Sequence, residues 1–188
     1  TDTVVELFPG GGWYSEILVP YTGHGGTYVA AGAWDRGLNG VRRLQQDHPE
    51  AYGNVTLAEF PAVSASGHPA VPDGTADVVL TFRNIHNLRF SGVDQTSAAF
   101  RAMFAMLKPG GAYIIVDHRA ADGAPVDETA EALHRIDPAA VKAEVEAAGF
   151  VFEGESVVLR NPADDHTLNV FDEKIRGMTD QFIYKFKK

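Results

Sequence analysis

The sequence contains no cysteine among its 188 residues. This absence excludes disulfide bonds, thiolate metal sites and cysteine nucleophiles. Long apolar runs are also absent, since none approaches the roughly 18 residues that suggest a membrane span. Hydrophobic residues make up 45% of the chain and charged residues 22%, which is typical of a globular protein. At this length, we expect a single domain spanning residues 1–188.

Positive charge is scarce. Lysine and arginine total 16, against 25 aspartate and glutamate residues, so the formal net charge is −9. A chain this acidic is repelled by phosphate backbones, so we expect neither a nucleic-acid partner nor a membrane partner. The one dense basic run, at Lys185, Lys187 and Lys188, is interpreted as a solvated tail. These features favour a small-molecule substrate and leave the oligomeric state open.

The first residue is Thr1 rather than methionine. This start suggests that an upstream segment has been removed. A cytoplasmic location and an exported, periplasmic location therefore both stay open.

Short apolar runs rich in β-branched residues alternate with segments of helical periodicity. Five such runs are predicted strands, at residues 3–8, 27–31, 55–59, 76–82 and 112–116. Two final strands, at residues 150–159 and 180–186, are predicted to be antiparallel neighbours. Apolar strands alternating with helices are typical of a parallel sheet covered on both faces. The predicted fold is therefore α/β: a doubly wound, mostly parallel seven-stranded sheet with an antiparallel last strand and helices on both faces.

The predicted helices have recognisable faces and ends. Residues 13–21 place Trp13 and Ile17 at helical spacing, and Trp13 is expected in the core. Residues 96–107 carry an apolar stripe and are predicted to end at a turn over residues 108–111, before the fifth strand. Asp137 followed by Pro138 predicts the start of the last helix.

A glycine-rich loop follows the first predicted strand, and parallel sheets bind ligands at such strand ends. Its sequence is Glu6-Leu7-Phe8-Pro9-Gly10-Gly11-Gly12. Glycine lets the backbone approach a ligand closely, and the N-terminus of the following helix favours an anionic group. A dinucleotide fingerprint needs a third glycine where this chain has Ser15, which disfavours a nicotinamide oxidoreductase.

An acid followed by glycines resembles the first motif of the class I (Rossmann-like) S-adenosylmethionine-dependent methyltransferases. Three further segments resemble that family in the same order: Pro72-Asp73-Gly74, Leu107-Lys108-Pro109-Gly110-Gly111 and Ala147-Ala148-Gly149-Phe150. The resemblance spans nearly the whole chain and is closest to a group of bacterial predicted methyltransferases of unassigned substrate. It implies S-adenosylmethionine as the cofactor and methyl transfer to a small molecule as the activity.

The resemblance also implies a set of cofactor-binding residues: Glu6, Pro9, Gly10, Gly11, Gly12, Tyr14, Asp35, Glu59, Phe60, Arg83 and Asn84. Two positions depart from the family pattern. Phe8 stands where the family usually has glycine. Gly32 lies near the end of the second strand, where the family usually has an acid that bonds the ribose hydroxyls, and the nearest acid is Asp35. A ribose without this acceptor loses hydrogen bonds of about 1–3 kcal/mol.

Three histidines lie after predicted strands at the same edge of the sheet or just beyond. We expect His86, His118 and His134 to converge with Asp117 as the catalytic residues, because imidazole suits a general base near neutral pH. Nearby arginines, Arg83, Arg119 and Arg135 among them, either hold an anionic acceptor or form ion pairs.

Two alternative functions remain. The first is a metal-dependent enzyme or metal binder using His86, His118 and His134 with Asp117. The sequence has no compact metal-binding motif, so no metal ligand is assigned. The second alternative is a non-catalytic protein that keeps the methyltransferase fold, which Phe8 and Gly32 motivate.

Overall fold

A computed structural model describes residues 2–23, 25–61 and 66–188 of the chain. The strands are Thr3–Leu7 (β1), Thr27–Gly32 (β2), Thr56–Glu59 (β3), Ala76–Phe82 (β4), Leu107–His118 (β5), Val151–Ser156 (β6) and Gln181–Lys187 (β7). The α-helices are Ser15–Thr22 (α1), Asn39–Asp47 (α2), Pro49–Tyr52 (α3), Val93–Met106 (α4), Val126–Leu133 (α5) and Pro138–Ala147 (α6), and a 3₁₀ helix covers His86–Ser91.

The strands form one seven-stranded mixed sheet in the order β3-β2-β1-β4-β5-β7-β6. β1 pairs in parallel with β2 and β4, and β2 pairs in parallel with β3. β6 and β7 are antiparallel, with a shift of register between Phe152 and Gly154. The α/β fold and the antiparallel end of the sheet are thus confirmed.

Contacts within the chain define two compact units, and the single domain stays a prediction. The first unit is Thr1–Thr81 with Ala105–Ala112. Its core packs β2 against α2: Tyr28, Ala30, Leu38, Val41 and Val55 are buried together. Burial of such apolar side chains is the main stabilising contribution to a fold of this kind.

The second unit is Phe82–Phe104 with Tyr113–Lys188. Aromatic rings dominate its core, where Tyr113, Phe150 and Phe186 pack with ring centroids 5.3–6.3 Å apart. Asp137 caps α6 as predicted, because its Oδ1 accepts a hydrogen bond of 2.9 Å from the Ala139 amide.

Two local predictions were wrong. Trp13 is 62% exposed rather than in the core, because α1 begins only at Ser15 and Trp13 lies in the turn before it. The predicted turn at residues 108–111 belongs to β5, which begins at Leu107 directly after α4. Glycine makes this possible, because a Cβ on Gly111 would lie 3.1 Å from the Asp77 carbonyl oxygen.

None of the helices in residues 2–23, 25–61 and 66–188 combines the length and apolarity needed to cross a bilayer.

Candidate functional site

The glycine loop, residues 8–12, is a tight turn between β1 and α1. Gly10 and Gly12 have φ of +55° and +87°, which L side chains rarely adopt. The Gly12 amide donates a hydrogen bond of 2.9 Å to the Pro9 carbonyl. A Cβ on Gly12 would also lie 2.9 Å from Leu44 Cδ1. The positive φ therefore favours glycine at this position, whereas the contact with Leu44 involves only the end of a flexible side chain.

The loop has one covered side and one open side. A Cβ on Gly40, in the first turn of α2, would lie 2.3 Å from the Gly11 carbonyl carbon and 2.4 Å from the Gly10 carbonyl oxygen. Backbone packs directly on backbone there. A Cβ on Gly11, by contrast, would meet no heavy atom within 4 Å. The open side at Gly11 leaves room for a ligand against the backbone.

Glu6 lies beneath this loop with only 1% of its surface exposed. Its Oε2 accepts hydrogen bonds from the Tyr28 hydroxyl and, at 2.9 Å, from the Ser15 hydroxyl. Burial raises the pKa of Glu6, and the two hydroxyl groups oppose that rise. The carboxyl group thus ties β1, β2 and α1 together under the loop.

The ends of β1, β2 and β3 are joined around Phe8 and Phe60. The Phe8 amide bonds the Ala31 carbonyl at 2.7 Å, and the Phe60 amide bonds the Gly32 carbonyl at 2.9 Å. The two phenyl rings meet edge to face at 5.5 Å. Glu59, the last residue of β3, is 8% exposed and accepts a hydrogen bond from the Ser66 hydroxyl.

Asp35 lies in the turn after β2 and is exposed. Its neighbour Trp34 stacks on the His68 ring at 4.3 Å, and the Arg42 guanidinium lies 4.8 Å from the Trp34 ring centre. Arg42 Nη1 also bonds the Trp34 carbonyl at 2.6 Å. The turn is therefore fixed by its tryptophan while its carboxylate faces solvent. Tyr14, at the start of α1, packs edge to face on Trp13 at 4.6 Å.

Arg83 and Asn84 follow β4 in the second unit. The Arg83 amide bonds the Val116 carbonyl at 2.6 Å, and the Arg83 side chain is exposed. Asn84 Nδ2 bonds the Phe82 carbonyl at 2.6 Å. The cofactor contacts of Arg83 and Asn84 stay a prediction.

The histidine cluster consists of His86, Asp117, His118 and His134, which the structure brings together. Asp117 is fully buried, and its Oδ1 lies 2.8 Å from His86 Nδ1. Its Oδ2 accepts a hydrogen bond of 3.0 Å from the His86 amide. A carboxylate on Nδ1 fixes the imidazole's orientation and favours the tautomer that leaves Nε2 as the acceptor.

The other two imidazoles flank His86. The His118 ring lies 6.0 Å from that of His86, and its Nδ1 is 2.8 Å from the Thr179 hydroxyl. Burial lowers the pKa of His118 to about 4. The His134 ring lies 5.5 Å from that of His86 and contacts Phe90 and Phe171. Burial also lowers the pKa of His134, and His86 adds to that effect.

Backbone strain coincides with these candidates. In the described part of the chain, Phe8, Arg83, His134 and His166 are the non-glycine residues with positive φ. Such conformations cost about 1–3 kcal/mol and concentrate at functional sites. Three of the four are in the glycine loop or among the predicted site residues.

The arginines near the cluster have mostly structural partners. Arg135 is fully buried and pairs with Asp164 through two hydrogen bonds of 2.8 and 3.0 Å. Arg119 pairs with Asp122. An anion-binding role for these two is therefore not supported by their contacts.

Sequence reasoning missed several residues around both groups: Tyr28, Gly40, Phe90, Phe171 and Thr179. Their roles depend on contacts between distant segments, so no local pattern marks them. Only Gly40, a glycine in the first turn of α2, offered a signal, because glycine is unfavourable inside a helix.

The metal-dependent alternative is not supported by the geometry. Over residues 2–23, 25–61 and 66–188, no group of three or more His, Asp or Glu side chains is arranged to hold a metal ion.

Comparison with known proteins gives a consistent family. The sequence profile of the methyltransferase domain matches residues 6–115. No curated protein is similar enough in sequence to count as a match.

Solved structures with the same fold are many. An S-adenosylmethionine-dependent methyltransferase from Aquifex aeolicus is 16% identical with a TM-score of 0.68, covering 99% of this chain and 81% of its own. The 1,6-didemethyltoxoflavin-N1-methyltransferase of Burkholderia thailandensis is 14% identical with a TM-score of 0.64, covering 100% and 71%. The cyclase SpnF is 14% identical with a TM-score of 0.70, covering 100% and 74%. At these identities the similarity establishes the fold.

Proposed function

The chain belongs to the methyltransferase domain family, and on this basis we propose that it transfers a methyl group from S-adenosylmethionine to a small-molecule acceptor. The observation that carries the proposal is the glycine loop, with its open side at Gly11. A ligand can approach the backbone there without meeting a side chain. S-adenosylmethionine supplies, when bound, an electrophilic methyl group on a sulfonium sulfur.

The residues proposed to hold the cofactor lie mostly in the first unit. Gly10, Gly11 and Gly12 provide backbone against the methionine part, and Tyr14 begins the helix beside them. Asp35 is the candidate for the ribose hydroxyls, since it is exposed on a turn that Trp34 fixes. The remaining candidates in this unit are Pro9, Glu59 and Phe60, and the cofactor contacts of Arg83 and Asn84 in the second unit stay a prediction.

Glu6 is not proposed to contact the cofactor directly. Its carboxyl group is buried and engaged by Ser15 and Tyr28. We therefore assign it to positioning the loop.

Phe8 is the main departure from the family pattern, and its ring is proposed to contribute to the cofactor site. Its ring packs edge to face on Phe60. An aromatic ring there offers an apolar surface for a purine, at the cost of the strained φ of +55°.

His86 is the proposed general base for the acceptor. Asp117 holds Nδ1, so a proton leaving an acceptor O–H or N–H passes to Nε2. Asp117 then stabilises the imidazolium that forms. His118 stays neutral near pH 7, because its pKa is about 4, and it is proposed to shape the pocket rather than to exchange protons. His134 is proposed to line the acceptor side.

The proposal is tested by isothermal titration of the folded protein with S-adenosylmethionine, S-adenosylhomocysteine and NAD⁺. We expect the first two to bind and NAD⁺ not to bind. Absence of binding by both sulfur ligands would contradict the proposal and favour a non-catalytic protein on the same fold.

A further inference from the structure

A groove opens on the second unit beside the histidine cluster, between the 3₁₀ helix and α5. It has a volume of about 460 Å³ and is lined by Arg89, Phe90, Asp127, Glu131 and His134. This size suits a small organic ligand. We call it the Phe90 groove.

Aromatic rings form one wall of the Phe90 groove and its surroundings. Phe90 and His134 meet edge to face at 5.7 Å, and Phe171 meets His134 at 5.0 Å. Phe90 is 52% exposed and Phe171 is 60% exposed. Together with the His134 imidazole, the two exposed phenyl rings form an apolar surface at the groove.

Negative charge surrounds these rings. Asp127 and Glu131 lie one turn apart on α5, and both are exposed. The only cation of the lining, Arg89, is already engaged: its side chain is 5% exposed, it bonds Glu144, and its Nε lies 3.6 Å from Asp127 Oδ1. Glu131 has no such partner in the lining. The groove therefore presents aromatic rings and a net negative charge.

We propose that the Phe90 groove binds the ammonium head of a small organic molecule, and that the methyl acceptor carries such a head apart from the atom that is methylated. A cation over an aromatic face is attracted by the ring quadrupole, and a nearby carboxylate adds to the attraction. His134 suits this role as a neutral ring, since burial lowers its pKa and a neutral imidazole does not repel the ligand. The inference rests on the proposed function, because it names the chemical class of the acceptor.

Charge is tested separately from shape with three probes of nearly one size: phenethylamine, phenethyl alcohol and phenylacetate. Each is titrated against the full chain without cofactor, and binding is followed by calorimetry and NMR line broadening. We expect phenethylamine to bind most tightly and phenylacetate least. Equal binding of the three, tighter binding of phenylacetate, or no binding of phenethylamine at millimolar concentration would overturn the proposal.

Substitutions locate the binding. Glu131→Gln is expected to weaken phenethylamine binding about two- to fivefold and to leave phenethyl alcohol unaffected. Phe90→Leu keeps an apolar side chain but removes the ring, and should weaken amine binding about three- to tenfold. Glu128→Gln is the matched control, an exposed glutamate of α5 that does not line the groove. An equal effect of Glu128→Gln would contradict the assignment.

The two proposals fail in different ways. If the wild-type protein does not bind S-adenosylmethionine but binds phenethylamine through Glu131, the proposed function fails and the amine site stands. If the cofactor binds and the amine does not, only the amine site fails.

Discussion

The glycine loop and the histidine cluster are built in opposite ways. The loop is shaped by backbone: Gly10 and Gly12 have positive φ, and Gly40 packs against it because it lacks a Cβ. The cluster is shaped by side chains from segments far apart in the chain, with Asp117 bonding His86 over 31 positions and Thr179 bonding His118 over 61. The glycine loop depends on residues without a side chain, and the histidine cluster depends on buried charged and polar partners.

This difference predicts different sensitivities. Added methyl groups should damage the covered side of the loop, where the Gly40 backbone lies against the backbone of Gly10 and Gly11. Isosteric changes of charge should damage the cluster, where each buried polar group depends on its partner. A substitution in one region should therefore leave the other region intact.

The largest effect is expected from Asp117→Asn. The amide presents its Nδ2 or its oxygen to His86 without a charge, so the imidazolium loses its stabilising partner. Methyl-transfer activity should fall by about 10²–10⁴-fold, measured as S-adenosylhomocysteine formation. Cofactor affinity, measured by titration, should stay within a factor of about two. An Asp117→Asn variant with wild-type activity would contradict the assignment of His86 as the general base.

Arg135→Met is expected to have the next largest effect, on stability. It leaves the buried Asp164 carboxylate without its partner, which costs about 3–5 kcal/mol. Urea unfolding measures this loss. Lys185→Met is the control, because its pair with Glu153 is solvent-exposed and its loss should change stability little. Equal effects of both substitutions would mean that burial of the Arg135–Asp164 pair is not decisive.

The cluster should also make stability depend on pH through His118. The folded pKa, about 4, lies below the ordinary value of 6.5. As pH falls below 6.5 the unfolded chain gains a proton first, so this contribution to stability is lost between pH 6.5 and 4. It amounts to about 3 kcal/mol at most. Comparing urea unfolding of wild type and His118→Gln at pH 7 and pH 5 measures it.

Glu6, under the glycine loop, should make stability depend on pH in the opposite direction. Its folded pKa is raised, so its contribution is complete below the ordinary pKa of 4.5 and is lost as pH rises through the folded value. Glu6→Gln should therefore reduce the fall in stability with rising pH. A pH dependence of the same sign at both positions would contradict the assigned environments.

The smallest effect is expected from Gly40→Ala. The new Cβ would push on the Gly10–Gly11 backbone, and cofactor affinity should fall about tenfold. Gly53→Ala is a matched control, since its Cβ would lie 2.4 Å from the Pro49 carbonyl oxygen, away from the loop. It should reduce stability without changing affinity. If both variants bind the cofactor like wild type, Gly40 has no positioning role.

The difference between the glycine loop and the histidine cluster also explains which features could be predicted from the sequence. The alternation of strands and helices and the glycine loop are local patterns, so the sheet and its last antiparallel strand were predicted correctly. The convergence of His86, His118 and His134 with Asp117 followed from strand ends at one edge of a sheet, and the structure brings these residues together. Their catalytic role stays a prediction.

The misses share a physical cause. Trp13 has helical spacing with Ile17, but it lies before the start of α1. Where a short helix begins and which face it buries depend on tertiary packing. The run at residues 108–111 contains glycine and proline, yet it continues a strand because Asp77 lies against Gly111 and pairs with Lys108. The buried partners Tyr28, Thr179 and Asp164 come from distant segments and carry no local pattern.

Cofactor binding at the open side of the glycine loop is tested most directly by titrating Gly11→Val with S-adenosylmethionine. A Cβ at Gly11 meets no heavy atom within 4 Å, so the fold should tolerate a side chain that fills the open side of the loop. We expect an unchanged urea midpoint and a loss of cofactor affinity of about a hundredfold or more. A stable Gly11→Val protein that binds S-adenosylmethionine as tightly as wild type would contradict this expectation.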